Sequence, residues 1–207
     1  MSNNKNARFG RRDMQIVAEE NGYKGFFRLL KVRLRHRLFG GGWGPELTRE
    51  LFDRGHAAAV LPYDPVRDEV VLVEQFRVGA IHHGDSPWLL EVVAGIVESG
   101  ESEEAVVRRE AQEEAGLTLG RLTRAMSYFS SPGGCSERIT VFVGEVDATQ
   151  AATYAGLSDE GEDIRVHCLP REQAMQWLAD GRIDNAASVI ALQWLALNRE
   201  SGLWPQK

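Results

Sequence analysis

Glutamates between residues 103 and 114 have the spacing of a metal-binding surface. Ser102 is a typical N-cap and Gly116 a typical helix terminator, and the stretch between them holds good helix formers and no proline. We therefore predict a helix over residues 102–115. At about 100° per residue, three glutamates fall on one side of it: Glu110, Glu113 and Glu114. Carboxylate oxygens suit Mg²⁺, which commonly works beside substrate phosphates.

The same glutamates allow a simpler interpretation, an acidic helix face exposed to water. Carboxylates four residues apart repel by roughly a few tenths of a kcal/mol, and Arg109 is placed to pair with Glu113. However, Val106 and Val107 lie near the side that carries Glu110, so apolar and acidic residues are not cleanly separated. Carboxylates beside an apolar surface favour the metal-binding interpretation.

The spacing around this helix resembles the Nudix box, the loop–helix–loop signature of Nudix hydrolases. Gly95 is followed after five residues by Glu101, and after seven more by REAQEEAGL (109–117), so every defining position is filled. So many specified positions in one spacing make the match far more specific than a lone glycine motif. The resemblance implies the α/β/α sandwich of Nudix proteins.

Composition predicts a soluble globular protein. A chain of 207 residues, 43% hydrophobic and 26% charged, suffices for one domain with a small appendage. The net charge of −6 argues against a nucleic-acid partner, and no apolar run is long enough to span a membrane. The N-terminus lacks the apolar core of a signal peptide, and two cysteines, Cys135 and Cys168, make no disulfide framework. We expect a cytoplasmic protein without nucleic-acid or membrane partners.

The first 55 residues predict a small antiparallel β-sheet. Asn21-Gly22 is a strong type I′ hairpin signal between residues 14–20 and 23–39, and residues 46–53 predict a third strand. Three strands are too thin to hold a core alone, so this sheet needs a partner surface. We therefore treat residues 1–55 as a separate N-terminal region, for which the Nudix resemblance implies a role in dimerisation and substrate contact.

Residues 56–207 have the pattern of an α/β domain. Strands interleaved with helices predict a mixed sheet covered by helices. The strands are predicted at 57–63, 69–77, 88–95, 122–129, 138–147 and 164–169, and two further helices at 171–180 and 185–197. Residues 148–163, named here the lid loop, have little regular signal and end in acids. They are either a solvated connector or, beside a metal-binding helix, a mobile lid.

The resemblance covers nearly the whole chain and is closest to the ADP-ribose pyrophosphatases of bacteria. In that group a proline lies about fifteen residues beyond the box, as Pro132 does here. The resemblance implies metal ligands at the Ala94 carbonyl, Glu110, Glu114 and Glu162, a general base at Glu160, and a supporting or shared carboxylate at Glu113. It implies that substrate is contacted by Arg77 at the diphosphate, by Phe26 and Arg49 at adenine, and by Ser131 and Glu137.

The activity implied by the resemblance is Mg²⁺-dependent hydrolysis of ADP-ribose to AMP and ribose 5-phosphate, with Mn²⁺ able to replace Mg²⁺. The N-terminal sheet is implied to build a homodimer. Two alternatives stay open. Another nucleoside diphosphate sugar, such as GDP-mannose, would keep the chemistry and change the substrate. A module that binds ADP-ribose without cleaving it would have no need for the complete acidic set.

Overall fold

The computed structural model describes residues 8–199, which divide into two units. The first contains residues 8–55 and Phe129–Glu137, and the second contains His56–Tyr128 and the described residues from Arg138 onward. Within residues 8–199, no helix has both the length and the apolar composition needed to cross a bilayer.

Three antiparallel strands form the sheet of the first unit, as predicted: β1 (Met14–Lys24), β2 (Arg28–His36) and β3 (Leu47–Asp53), with β2 in the middle. A short 3-10 turn, Arg11–Asp13, precedes them. Phe129–Glu137 joins this unit through β3. The Phe52 N–H donates to the Gly134 carbonyl (2.8 Å), and the Phe52 carbonyl accepts from the Ser136 N–H (3.1 Å).

The predicted hairpin turn at Asn21-Gly22 is wrong. Strand β1 runs through both residues with a register shift between Asn21 and Tyr23. The chain turns instead at residues 25–27, where the Gly25 N–H donates to the Phe27 carbonyl (2.9 Å). The Asn-Gly pair thus lies at an irregularity within the strand, because the residues after it still pair with β2.

Eight strands form the mixed sheet of the second unit. They are β4 (Ala57–Asp64), β5 (Glu69–Phe76), β6 (Trp88–Glu91), β7 (Val93–Ile96), β8 (Leu122–Phe129), β9 (Arg138–Glu145), β10 (Tyr154–Ala155) and β11 (Ile164–Pro170). Their order is β10-β11-β5-β4-β9-β8, with β6 paired to β5 and β7 to β4. Strands β4 and β9 are parallel, whereas β5 is antiparallel to β4 and β11. The predicted single strand 88–95 is divided at Val92, whose N–H donates to Ser188 Oγ (2.9 Å).

Helices cover both faces of this sheet, as the α/β/α sandwich requires: α1 (Glu103–Ala115), α2 (Arg171–Ala179) and α3 (Ala186–Asn198). Alternate residues of a strand face opposite sides. Val60 and Val71 pack with the α1 residues Val106 and Val107, whereas Leu61, Val70 and Leu72 pack with the α2 and α3 residues Ala174, Leu192 and Leu195. Burying each valine contributes roughly 1.5–3 kcal/mol, so packing outweighs the repulsion among the acids of α1.

Local signals set both ends of α1, close to the predicted bounds. Ser102 Oγ accepts from the Ala105 N–H (3.2 Å) at the N-terminus. Gly116 ends the helix in the left-handed region (φ 68°), where glycine carries no steric penalty. Its Cα faces Ala152, since an added Cβ would lie 3.2 Å from the Ala152 side chain.

The lid loop has more structure than predicted. It contains the short 3-10 turns Ala148–Gln150 and Ser158–Glu160 and the strand β10. Two backbone hydrogen bonds attach it to the last turn of α1: the Ala152 N–H donates to the Ala115 carbonyl (2.9 Å), and the Gly156 N–H to the Glu113 carbonyl (3.1 Å). These two bonds hold residues 152–156 of the lid loop beside the acidic helix.

Candidate active site

Glu114 is the most deeply buried carboxylate of α1, with 2% of its surface exposed. The Ala94 N–H donates to Oε2 (3.1 Å), and Gln75 Nε2 donates to Oε1 over a long 3.5 Å. Burial raises the pKa of Glu114 to about 8; repulsion from Glu110 and Glu162 adds to the increase, and the bond from Ala94 opposes it. A nearby cation would hold this carboxylate in its charged form.

Gly95 and Glu110 are in direct contact. A Cβ at position 95 would overlap the Glu110 side chain, so the carboxylate can occupy this position only beside a glycine. Burial raises the pKa of Glu110, repulsion from Glu113 and Glu162 adds to the increase, and Arg109 opposes it. The first glycine of the box therefore provides the space in which a helix carboxylate lies against the β7 backbone.

Arg109 holds the acids of α1 together. Its Nη1 donates to Glu110 Oε1 (2.8 Å) and to Glu113 Oε2 (2.9 Å), and its Nε lies 3.4 Å from Glu101 Oε1. The pairing with Glu113 matches the spacing noted in the sequence, whereas the bridge to Glu110 involves adjacent residues. This guanidinium neutralises part of the charge that the cluster would otherwise carry.

The lid loop adds one further carboxylate, Glu162, to the acids of α1. Glu162 lies near enough to Glu110 and Glu114 to raise the pKa of both, and its Oε2 accepts from the Leu157 N–H (3.1 Å). Glu160 is exposed at the end of the turn Ser158–Glu160, just before Gly161. The structure thus places Glu162 with the box acids and Glu160 on the exposed part of the loop.

The donor chemistry of this cluster fits a divalent cation. Glu110, Glu114 and Glu162 repel one another, and hard carboxylate oxygens are the ligands that Mg²⁺ and Mn²⁺ prefer. Positive charge would relieve both that repulsion and the burial of Glu114. In the described range 8–199, no group of three or more His, Cys, Asp or Glu side chains is already arranged as a metal site. Glu110 contacts Arg109 instead.

Comparison with known proteins identifies the family. The NUDIX domain family matches residues 53–192, well over half of the chain and including the whole acidic cluster. The chain belongs to the NUDIX family. The box resemblance noted in the sequence is thereby confirmed.

Two relatives and one solved structure are similar to this NUDIX chain. It is 58% identical to the ADP-ribose pyrophosphatase of Escherichia coli (strain K12), over 93% of this chain and 92% of that protein. It is 41% identical to the GDP-mannose pyrophosphatase of Klebsiella pneumoniae, over 71% of this chain and 74% of that protein. A crystal structure titled as an ADP compounds hydrolase superposes with a TM-score of 0.71 at 22% identity, covering 92% of this chain and 97% of that one, which supports the fold alone.

Arg77 follows β5 in the same unit of the NUDIX chain as the acidic cluster. Its Nε lies 2.7 Å from Glu91 Oε2, and the Glu91 side chain is largely buried on β6. Burial raises the pKa of Glu91, although Arg77 acts to lower it. Arg77, the predicted diphosphate-binding residue, is therefore already paired with a carboxylate.

Four predicted substrate residues of the NUDIX chain lie in the first unit. Phe26 is 87% exposed at the β1–β2 turn and packs edge-on against Phe27 (4.7 Å between ring centres). Arg49 is exposed on β3, and its Nη1 donates to the Thr48 carbonyl (2.8 Å). Ser131 is exposed, and buried Glu137 lies 3.3 Å from Arg54 Nε. The structure does not bring these four together with the acids of α1 in one unit.

Sequence reasoning missed two polar residues beside the cluster, Gln75 and Glu91. Both stand in apolar strands, in VVLVEQF and WLLEVV. A polar residue in such a run is a signal in itself, because burial requires a hydrogen-bond partner. The partners became visible only with the pairing of β5 and β6.

Proposed function

We propose that this NUDIX hydrolase cleaves the diphosphate of ADP-ribose to AMP and ribose 5-phosphate. The observation that carries the proposal is the complete acidic helix α1. It occurs in a chain that is 58% identical to an ADP-ribose pyrophosphatase, matched over more than nine-tenths of that protein's length. A binding module would not need carboxylates held together against their mutual repulsion, which supports catalysis over the non-catalytic alternative.

Mg²⁺ is the proposed cofactor, with Mn²⁺ able to substitute. Glu110, Glu114, Glu162 and the Ala94 carbonyl would hold it. When bound, the ion would neutralise negative charge on the diphosphate oxygens. Support comes from the raised pKa of Glu114 and from the contact of its carboxylate with the Ala94 backbone.

The protein's own side chains supply the remaining steps. Arg77 would bind and orient the diphosphate through its terminal guanidinium nitrogens. Glu160 would accept the proton of the attacking water. Movement of the exposed end of the lid loop would bring Glu160 to that water. Glu113 would support Glu110, since both accept from the same nitrogen of Arg109.

We further propose that residues 1–55 build a homodimer and contribute to the substrate site. Strand β1 exposes four large apolar side chains, Met14, Ile16, Val17 and Tyr23, which a partner copy could cover. Phe26 and Arg49 would stack on adenine, and Ser131 and Glu137 would contact the substrate. Residues 56–207 would form the hydrolase domain of a cytoplasmic enzyme.

Product analysis tests the activity directly. Purified protein is incubated with ADP-ribose in the presence of Mg²⁺, Mn²⁺ or EDTA, and AMP and ribose 5-phosphate are measured by chromatography. We expect AMP to form only with metal. Glu114→Gln should lose both metal affinity and turnover, whereas Glu104→Gln, an exposed acid in the first turn of α1, should behave like wild type. Equal turnover with EDTA and with Mg²⁺ would contradict the metal proposal.

A second candidate substrate is GDP-mannose, because the chain is also similar to a GDP-mannose pyrophosphatase of Klebsiella pneumoniae. That relative is less similar and matches less of this chain than the ADP-ribose pyrophosphatases do. A panel of ADP-ribose, GDP-mannose, ADP-glucose and NADH at equal concentrations separates the two. A higher kcat/KM for GDP-mannose than for ADP-ribose would assign the chain to the second substrate and retain the mechanism.

A further inference from the structure

The two polar residues next to the candidate site, Gln75 and Glu91, have no part in the proposed function above. Gln75 is 6% exposed, and the side chain of Glu91 is 14% exposed. Both stand in strands whose other residues are mostly apolar. Burying an amide and a carboxylate is unfavourable unless both are paired, so their partners indicate why they are there.

Their contacts form one connected path. Glu91 Oε2 lies 2.7 Å from Arg77 Nε, and Gln75 lies near enough to Glu91 to lower the pKa of that carboxyl, against the larger effect of burial, which raises it. Gln75 Nε2 also reaches Glu114 Oε1 at 3.5 Å. The contacts therefore lead from Arg77, just after β5, to Glu91 on β6, then to Gln75 on β5, and finally to the buried Glu114 of α1.

The geometry of the ion pair suits an arginine that binds an anion. Glu91 receives Nε–H, only one of the five N–H donors of a guanidinium. The contact therefore restrains the group at Nε without using its two terminal nitrogens, which bind phosphate oxygens in pairs. The Arg77 side chain is 43% exposed while that of Glu91 is 14% exposed, so the arginine is accessible to an anion although its carboxylate partner is largely buried.

We propose that Glu91 is a positioning residue that presents Arg77 to the substrate diphosphate, and that Gln75 connects this pair to Glu114. The inference rests on the proposed diphosphate contact of Arg77. Glu91 itself touches neither substrate nor metal. Its effect is to reduce the freedom that an exposed arginine would otherwise lose when substrate binds.

A double-mutant cycle tests the coupling. Glu91→Gln keeps the shape of the side chain and removes its charge. We expect kcat/KM of the full-length protein to fall about 10- to 100-fold, with KM rising, because the diphosphate contact loses its preset orientation. In an Arg77→Ala background the same substitution should change kcat/KM by less than about twofold, since no arginine remains to be positioned. If instead Glu91→Gln lowers activity equally in both backgrounds, or in neither, the inference is wrong.

A matched control separates positioning from stability. Asp68 and Arg171 form another arginine–carboxylate pair of the same unit (2.9 and 3.0 Å), at the β4–β5 turn. Asp68→Asn should lower Tm while leaving kcat/KM unchanged. If Glu91→Gln does not fold, Glu91→Asp, which shortens the side chain by one methylene, takes its place in the cycle with the same expectation.

The failure of the proposed function is distinguishable from the failure of this inference. The cycle is measured on whichever nucleoside diphosphate sugar the wild type cleaves fastest. Absence of any cleavage by wild type would overturn both. Cleavage by wild type with additive effects at positions 77 and 91 would overturn only the positioning role.

Discussion

At the scale of single residues, burial and mutual repulsion of the acids of α1 should make the stability of the protein depend on pH. The Glu114 carboxyl titrates near 4.5 when unfolded and at about 8 when folded. Between these values the folded state keeps a proton that the unfolded state has released. Raising the pH across this window therefore lowers the free energy of unfolding, by at most about 1.4 kcal/mol per pH unit.

We predict that metal-free wild type is less stable at pH 8 than at pH 5.5, and that Glu114→Gln reduces this difference. Urea unfolding in EDTA, followed by the fluorescence of the five tryptophans, measures it. Adding Mg²⁺ at pH 8 should stabilise wild type more than the variant. The same pH dependence in both proteins would show that Glu114 is not the group responsible.

Gly95 tests whether the position of Glu110 matters for turnover. Gly95→Ala places a Cβ on the Glu110 carboxylate, and because that carboxylate ends a flexible side chain it should move away rather than unfold the protein. We predict a loss in kcat/KM of about 10-fold or more with a small change in Tm. Gly40→Ala, where an added Cβ meets nothing within 4 Å, is the control. A variant as active as wild type would separate Glu110 from catalysis.

Glu160 and its neighbour separate catalysis from lid structure. Glu160→Gln removes the proposed proton acceptor and should lower kcat by about 100-fold or more, with KM nearly unchanged. Asp159→Asn alters an exposed acid of the same turn and should have little effect. A rise in KM without a change in kcat at position 160 would instead indicate a binding role.

At the scale of elements, α1 has one end that affects stability alone and one that also affects the lid loop. Ser102→Ala removes a single N-cap bond and should cost about 1 kcal/mol. Gly116→Ala forces a side chain into the left-handed region and against Ala152 in the lid loop. We predict comparable losses of stability from both, measured by urea unfolding, but a lower kcat only for Gly116→Ala. A lower kcat for Ser102→Ala would mean that the whole helix shifts.

At the scale of the whole molecule, the exposed apolar side chains of β1 allow a test of the proposed homodimer. Ile16→Glu places a charge among them and should produce monomers, measured by light scattering during size-exclusion chromatography. If Phe26 and Arg49 bind adenine within a dimer, the KM for ADP-ribose should rise as well. Val66→Glu, at an exposed valine in the turn between β4 and β5, is the control. A dimer that survives Ile16→Glu would place the interface elsewhere.

How well sequence predicts this protein depends on the distance over which each signal acts. The bounds of α1 were predicted closely because Ser102 and Gly116 act within one turn of the helix ends. The hairpin at Asn21-Gly22 was misplaced because its position depends on how far β1 and β2 stay paired, which a dipeptide does not encode. The position of Gln75 next to Glu91 and Glu114 does not follow from the sequence for a related reason: it depends on which strands are neighbours.

The attachment of the lid loop has a consequence for how such a protein changes over evolution. Its two bonds to α1 join backbone N–H groups to backbone carbonyls, and at Ala152 any residue except proline can supply that donor. Gly156 is restricted, because its φ is 98° and an added Cβ would lie 2.9 Å from Glu162 Cβ. Mutations that spare Gly156 can therefore alter the side chains of the loop without detaching it from the helix. The loop is thus a segment in which a new selectivity can arise while the inherited acidic helix keeps its place.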